Sequence, residues 1–245
     1  ETVPSASLSL RTGSWFQGSN LNVAEILHLT YGFAHGWSQE MLSHESGISG
    51  KTIVDWYHFC REVTSEVTLA SRQKIGGPGI IVEIDESKFG KRKYHRGHHV
   101  EGQWVFGGVE PGTGKIFMVP VEHRNTDTLL PIIQEWILPG SIIISDCWRG
   151  YDCLSREGYD HLTVNHSVTF KDPETGAHTN SIEGAWNHAK KSLPPYGTKK
   201  HFFQGYLELH MWRRSVKETN ADPFMALLDG IAAVYDPLKW KLPRK

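Results

Sequence analysis

The sequence predicts an α/β protein: a mixed sheet flanked by helices, preceded by a small all-helical region with a helix-turn-helix outline. Three observations predict it. Apolar residues keep helical spacing as far as the glycine- and proline-rich stretch KIGGPG at 74–79. Strand-like runs rich in β-branched residues begin directly after it. Strands then alternate with helical stretches before the chain closes in helices, the pattern of a sheet covered by helices. With 245 residues, 39% of them apolar, and nine Trp, the chain has material for one large or two smaller well-packed domains and is not a disordered polymer.

In the first region, Leu21, Ala24, Ile26, Leu27 and Tyr31 keep helical spacing between Asn20 and about Ala34. Ser38 is a natural N-cap for a short helix to about Glu45, Ser46–Gly47 breaks it, and Ser49 caps a second helix from Gly50 to about Val63. Short helix, glycine turn, longer helix is the outline of a helix-turn-helix. In that motif the second helix presents its N-terminal residues to base edges. Here those are Ser49, Lys51, Thr52 and Asp55, with Arg61 within reach of backbone phosphate. An ordinary helical hairpin has the same outline.

Beyond the KIGGPG break, residues 79–87, 103–110 and 115–122 read as three consecutive strands. The turn PGTGK between the last two resembles a phosphate-binding loop but lacks its first glycine and its Ser/Thr, so it is expected to be a hairpin turn. Thr126 or Asp127 caps a helix to Ile137 that Pro139–Gly140 stops. The strand SIIISD at 141–146 is apolar until its acid, as a strand buried on both faces would be. A short helix after Trp148, a strand at 161–166, and helices at 179–193, 199–218 and 222–235 complete the chain, the last opened by Asp222–Pro223.

Three acids stand out within these elements. Asp85 closes the strand in GIIVEIDESKFG, Asp146 closes that in GSIIISDCWRGYD, and Glu183 lies on the polar face of the helix in HTNSIEGAWNHAKK. On that helix Ile182, Ala185, Trp186, Ala189 and Leu193 form one face and Asn180, Glu183, Asn187 and Lys190 the other. Carboxylates converging from rigid elements hold divalent cations, and two hard cations can stabilise both ends of a phosphodiester displacement. Glu83, which shares the strand face of Asp85, together with Glu86, Asp152, Asp172 and Glu174, are competing acids. A carboxylate at a strand end is also, in many proteins, only a turn former.

The three blocks DES at 85–87, SDCWRGYD at 145–152 and HTNSIEGAWNHAK at 178–190, in this order, resemble the Merlin superfamily of DNA transposases and related bacterial insertion-sequence enzymes. The similarity spans about residues 79–215, and GSWF with the helical region resembles the N-terminal part of that family. The resemblance implies an RNase H-like fold and a catalytic, metal-binding triad of Asp85, Asp146 and Glu183. It further implies two Mg²⁺ ions, for which Mn²⁺ would substitute, and cut-and-paste transposition. His178 and Asn180 match the family block as accessory residues, with Asn187 beside them on the helix; a helix-start capping role is the plainer alternative for His178. Trp186 is expected to be core. The organisation expected is a DNA-binding helical region over 1–75 and an RNase H-like catalytic domain with C-terminal helices over 76–245.

A net charge of −1 excludes a globally basic nucleic-acid binder, so any DNA contact must come from local clusters. Lys88, Lys91, Arg92, Lys93 and Arg96 follow the first acid; Lys190, Lys191, Lys199 and Lys200 follow the third, and KWKLPRK ends the chain. Such clusters position phosphates without reading sequence. His95, His98 and His99 lack the partners of a structural zinc site. The partners implied are double-stranded DNA, as transposon ends and target, and a second copy of the chain in a dimeric or larger synaptic complex, with no membrane. A transposase-derived DNA-binding protein without activity and a structure-specific nuclease are the competing readings. Three Cys without a paired spacing fit a reducing, intracellular compartment, the nucleus in a eukaryote or the nucleoid in a bacterium. The start lacks the basic and apolar segments of a secretory signal, and beginning with Glu rather than Met fits a fragment of a longer chain.

Overall fold

The computed structural model describes residues 11–90, 102–164, 178–194 and 199–235. The chain divides into two compact units, residues 71–215 and residues 1–70 with 216–245.

The larger unit is built on a five-stranded mixed sheet. Its strands are β2 (Ile81–Phe89), β3 (Gln103–Val109), β4 (Ile116–Val121), β6 (Ile142–Asp146) and β7 (Asp160–Val164), in the spatial order β4-β3-β2-β6-β7. β2, β3 and β4 form an antiparallel meander, whereas β6 runs parallel to β2 and β7 parallel to β6. The PGTGK segment makes the hairpin expected of it: Gly114, at φ 79°, closes back on the Glu110 carbonyl. Short strands β1 (Ile75–Gly76) and β5 (Ile137–Leu138) pair in parallel as a separate two-stranded sheet, which the glycine-rich sequence around them did not announce.

Pairing and alternation sort the sheet into two faces. Glu83, Asp85, Ser87 and Phe89 share one face with Gly107 and Met118; Val82, Ile84 and Glu86 share the other with Phe106 and Phe117. Helices α5 (Asn180–Ser192) and α6 (Phe203–Glu218) cover the first face, through Trp186 and Phe203 against Phe89 and through the Met118 amide, which donates to Met211 Sδ. Helix α4 (Thr126–Trp136) covers the second, its Trp136 ring stacked on Phe117 at 5.5 Å. Both faces are therefore buried, and each fully buried large apolar side chain contributes roughly 1.5–3 kcal/mol. This is the mixed sheet flanked by helices expected of an RNase H-like domain.

Two glycines let the layers close. Gly107 lies under Trp186, where a Cβ would sit 2.6 Å from the indole and 2.8 Å from the Phe117 carbonyl oxygen. Gly108, facing the other way, does the same for the Phe117 ring at 2.5 Å.

The smaller unit packs α1 (Val23–Ala34), α2 (Gln39–Ser46), α3 (Gly50–Ala70) and α7 (Pro223–Val234). Asn22 and Glu25 form a capping box at α1, Ser38 caps α2, and Gly47 ends α2 in the left-handed conformation at φ 69°. The helix-gly turn-helix outline is thus present in α2 and α3. Two sequence expectations need correction. Helix α3 continues seven residues past Val63, and Val63 and Val67 give it a face for α7. Helix α7 packs with α1 and α3 rather than with the region after residue 76; Gly230 permits it, since a Cβ there would lie 2.9 Å from Val67. Periodicity reveals that a helix has an apolar face, not which partner covers it. On α1 the buried residues include Ile26, Leu29 and Phe33, while Tyr31, one of the apolar positions at helical spacing, is exposed.

Gly107→Ala is expected to destabilise the larger unit by about 1–3 kcal/mol, because the methyl meets backbone as well as the indole. Thermal or urea unfolding checks it, and an unchanged midpoint would contradict the packing described.

Candidate active site

Strand register brings the two aspartates to the same end of the sheet. β2 and β6 pair in parallel with Ile81 opposite Ile142 and Glu83 opposite Ile144, where the pairing ends. Asp85 and Asp146 each lie two residues beyond that last pair, and alternation puts them on the same face. Asp146 ends β6, and its Oδ1 accepts the amide of Trp148 at 3.1 Å, which turns the chain away after the acid. Trp148 packs on Gly150 and, edge-on, against Tyr151.

Helix α5 lies over these strands and is gripped by three consecutive same-face residues of β2. Glu83 Oε2 accepts the amides of Ser181 at 2.8 Å and Ile182 at 3.0 Å. Asp85 Oδ2 accepts the indole N–H of Trp186 at 3.0 Å. Ser87 Oγ accepts Lys190 Nζ at 2.6 Å. Glu183 sits between the first and second of these contacts, on the exposed face of α5 with Asn180 and Asn187. The apolar face expected for α5 is the buried one: Ile182, Ala185, Trp186 and Ala189. Trp186 is core, as expected, and is also a hydrogen-bond donor to the first acid, a role that periodicity does not reveal. His178 stands just before the helix with Nδ1 3.3 Å from Glu83 Oε1, without hydrogen-bond geometry.

The carboxylates feel one another. Burial pushes the Asp85 carboxyl above the usual aspartate range, and the charges of Asp146 and Glu183 push it further, against the opposing Trp186 hydrogen bond. On the other sheet face Glu86 is almost wholly buried; it too is raised, first by burial and then by Asp85 and Asp146, while the Tyr151 hydroxyl at 2.9 Å and Arg124 at 3.9 Å work the other way. The Tyr151 hydroxyl is in turn held well above its ordinary range by burial and by Glu86. Asp85 thus lies within the electric field of both Asp146 and Glu183 at one end of the sheet.

A family model described as the ISXO2-like transposase domain matches residues 75–215, more than half of the chain. The chain belongs to the ISXO2-like transposase family. It is also 39% identical over 100 residues to an uncharacterized transposase-like protein of Haemophilus influenzae, covering 40% of this chain and 80% of that protein. Similar solved structures include the HTLV-2 integrase catalytic core domain in complex with magnesium in its dimeric form, at 14% identity and a TM-score of 0.36, covering 55% of this chain and 85% of that one. The simian T-cell lymphotropic virus intasome in complex with a PP2A regulatory subunit is another, at 14% identity and a TM-score of 0.37, covering 76% and 67%.

In this transposase domain the oxygen donors suit a hard divalent cation in kind. Asp146 Oδ1 accepts from the Trp148 amide, and Asp85 accepts from the Trp186 indole and from the Glu86 backbone amide. Among the described residues no three His, Cys, Asp or Glu side chains are close enough to hold a metal as a group. Two aspartates on one sheet face, with Glu183 near enough to act on the charge of Asp85, are the arrangement present.

The cations divide. Lys88 and Arg124 lie over the Trp104 ring, at 5.6 and 4.3 Å from its centroid, and Lys190 lies over Phe89 at 5.4 Å, on the opposite sheet face. Arg124 was not singled out from sequence, because it stands alone in EHRN without a basic cluster. Lys200 is paired with Glu122 at 2.9 Å, while Lys191 and Lys199 are exposed. Lys91, Arg92, Lys93 and Arg96 lie outside the described residues, as do Asp172, Glu174 and the C-terminal KWKLPRK. In the smaller unit Ser49 Oγ and Thr52 Oγ1 are 2.9 Å apart at the start of α3; Lys51 is exposed and Arg61 partly buried.

Because Asp85 is raised in the folded state, the unfolded chain loses its proton first as pH rises, and stability falls through the window above the ordinary carboxylate range. Asp85→Asn, which can still accept from Trp186, is therefore expected to raise the unfolding temperature at about pH 7, with the gain closing as pH falls below about 4. Differential scanning calorimetry against pH checks it; a lower midpoint for the variant at neutral pH contradicts it.

Proposed function

We propose that this transposase binds the terminal inverted repeats of its element and carries out metal-dependent DNA cleavage and strand transfer, with Asp85, Asp146 and Glu183 as the catalytic carboxylates. The observation that supports the reading is the charge of Asp146 and Glu183 acting on Asp85 at the end of the parallel β2–β6 pair, in a chain of a transposase family. A pair of Mg²⁺ ions, or Mn²⁺, would supply an activated nucleophile and stabilise the leaving oxygen.

The roles of the protein's own groups follow from their settings. Asp85 and Asp146, packed close enough to repel, would present unsatisfied negative charge that favours a cation over a proton. Trp186 holds one Asp85 oxygen and so fixes the direction of the other. Lys190, laid across Phe89 on the face of Asp85, would take a DNA phosphate flanking the reacting one, and Lys88, over Trp104 on the opposite face, would contact the DNA backbone further off. Ser49, Lys51, Thr52 and Arg61 of the α2–α3 unit, with Lys191, Lys199 and Lys200, would supply further DNA contacts, and Asn180 and Asn187 would border the site from α5. Lys91, Arg92, Lys93 and Arg96 belong to the same proposal on sequence grounds. Two ends must be joined in one event, so the working form would be a dimer or larger assembly, in the compartment that holds the genome.

Asp146→Asn is expected to abolish cleavage of terminal-repeat DNA in Mg²⁺ while leaving binding to that DNA nearly intact. Gel assays of nicking and of mobility shift read both, and cleavage at the wild-type rate would overturn the assignment. Lys190→Ala should weaken binding alike for all sequences and lower the salt dependence of log K by about one unit, a phosphate contact's worth; an unchanged slope would remove Lys190 from the DNA path.

A further inference from the structure

Glu83 has no part in the triad, yet it is the most deeply buried carboxylate described here, with 0% of its surface exposed. A buried carboxylate is tolerated only where hydrogen bonds repay its lost hydration. Glu83 finds them in the first turn of α5, where the amides of Ser181 and Ile182 have no partner inside the helix. The helix does not cap itself: Thr179, at the N-cap position, makes no side-chain capping bond. The acceptor comes instead from β2, across roughly a hundred residues of chain, and its negative charge faces the positive end of the helix dipole.

The location gives this cap a consequence for the reaction. Glu83 is two residues before Asp85 on the same strand face, and Ser181 and Ile182 directly precede Glu183. One side chain therefore ties the strand that carries the first acid to the turn that carries the third. The Trp186–Asp85 and Lys190–Ser87 contacts hold α5 further along, and the Glu83 cap ties its N-terminal end to the same strand. Both bonds fall on Oε2, and Oε1 faces His178. That fully buried setting leaves Glu83 no role as a fourth ligand.

We infer that Glu83 is a positioning residue, a strand-borne cap that sets the distance of Glu183 from the Asp85–Asp146 pair by clamping the first turn of α5. The inference rests on the proposed triad for its catalytic consequence. It is tested in the full chain with Glu83→Ala, which removes the acceptor, and Glu83→Gln, which keeps a carbonyl acceptor without the charge. Hydrogen exchange of the Ser181 and Ile182 amides, measured without metal, should quicken in the order wild type, Gln, Ala. Cleavage of end DNA should fall in the same order, by roughly 10–100-fold for Ala, as is usual when a group that orients a metal-binding side chain is lost. The Mn²⁺ concentration for half-maximal cleavage should rise with it, while affinity for end DNA in EDTA stays at the wild-type value.

Wild-type exchange at Ser181 and Ile182 in both variants would overturn the clamp. Faster exchange with wild-type cleavage and Mn²⁺ demand would overturn its role in positioning Glu183. A fall in metal-free DNA affinity matching the fall in rate would make Glu83 a general structural residue and equally overturn it. If Glu83→Ala does not fold, Glu83→Gln alone must show faster exchange and slower cleavage. Absence of cleavage by the wild type, with the exchange order intact, would instead count against the transposition chemistry and leave the clamp standing.

Discussion

Parallel pairing of β2 with β6 is the constraint on which the rest of the larger unit depends. It carries two aspartates to the same end and face of the sheet, where burial and the charge of Asp146 raise the cost of ionising Asp85. Hydrogen-bond donors around the pair limit that cost without removing it. The indole of Trp186 and the amide of Trp148 each donate to one of the two acids, and neither donor brings a positive charge. The site therefore retains net negative charge in a partly desolvated place, the electrostatic condition for drawing in a cation.

Packing and electrostatics are joined in α5. The helix buries a face of Ile182, Ala185, Trp186 and Ala189 against the sheet while β2 grips it at Glu83, Asp85 and Ser87. Gly107 makes this approach possible, since any side chain there would lift the indole off Asp85. A core contact and a site contact are made by the same tryptophan. Stability and the geometry of the acids cannot vary independently here, because one packing arrangement serves both.

The opposite face has its own acid, Glu86, closed in by Tyr151, Arg124 and Trp104. It sits one residue from Asp85 but points away from it, as alternation along a strand requires. Adjacent letters in DES thus serve different layers: one faces the helix that carries Glu183, the other the segment that follows Asp146.

Much of this was legible in the sequence. The strands of the five-stranded sheet, α4 to α7, the hairpin at PGTGK and the two faces of α5 follow from local periodicity and turn chemistry, which neighbouring residues determine among themselves. The blocks around Asp85, Asp146 and Glu183 were equally readable, because residue type and order carry the family resemblance. Register and partner choice were not. That Asp85 and Asp146 reach the same end and face of the sheet, that Glu83 caps a helix nearly a hundred residues away, that Trp186 donates to an acid, and that α7 joins α1 and α3 are all decided by long-range packing. Local sequence specifies which face of an element is apolar; only the assembled fold decides what that face meets, since the free energy of burial is set by the partner surface as much as by the residue.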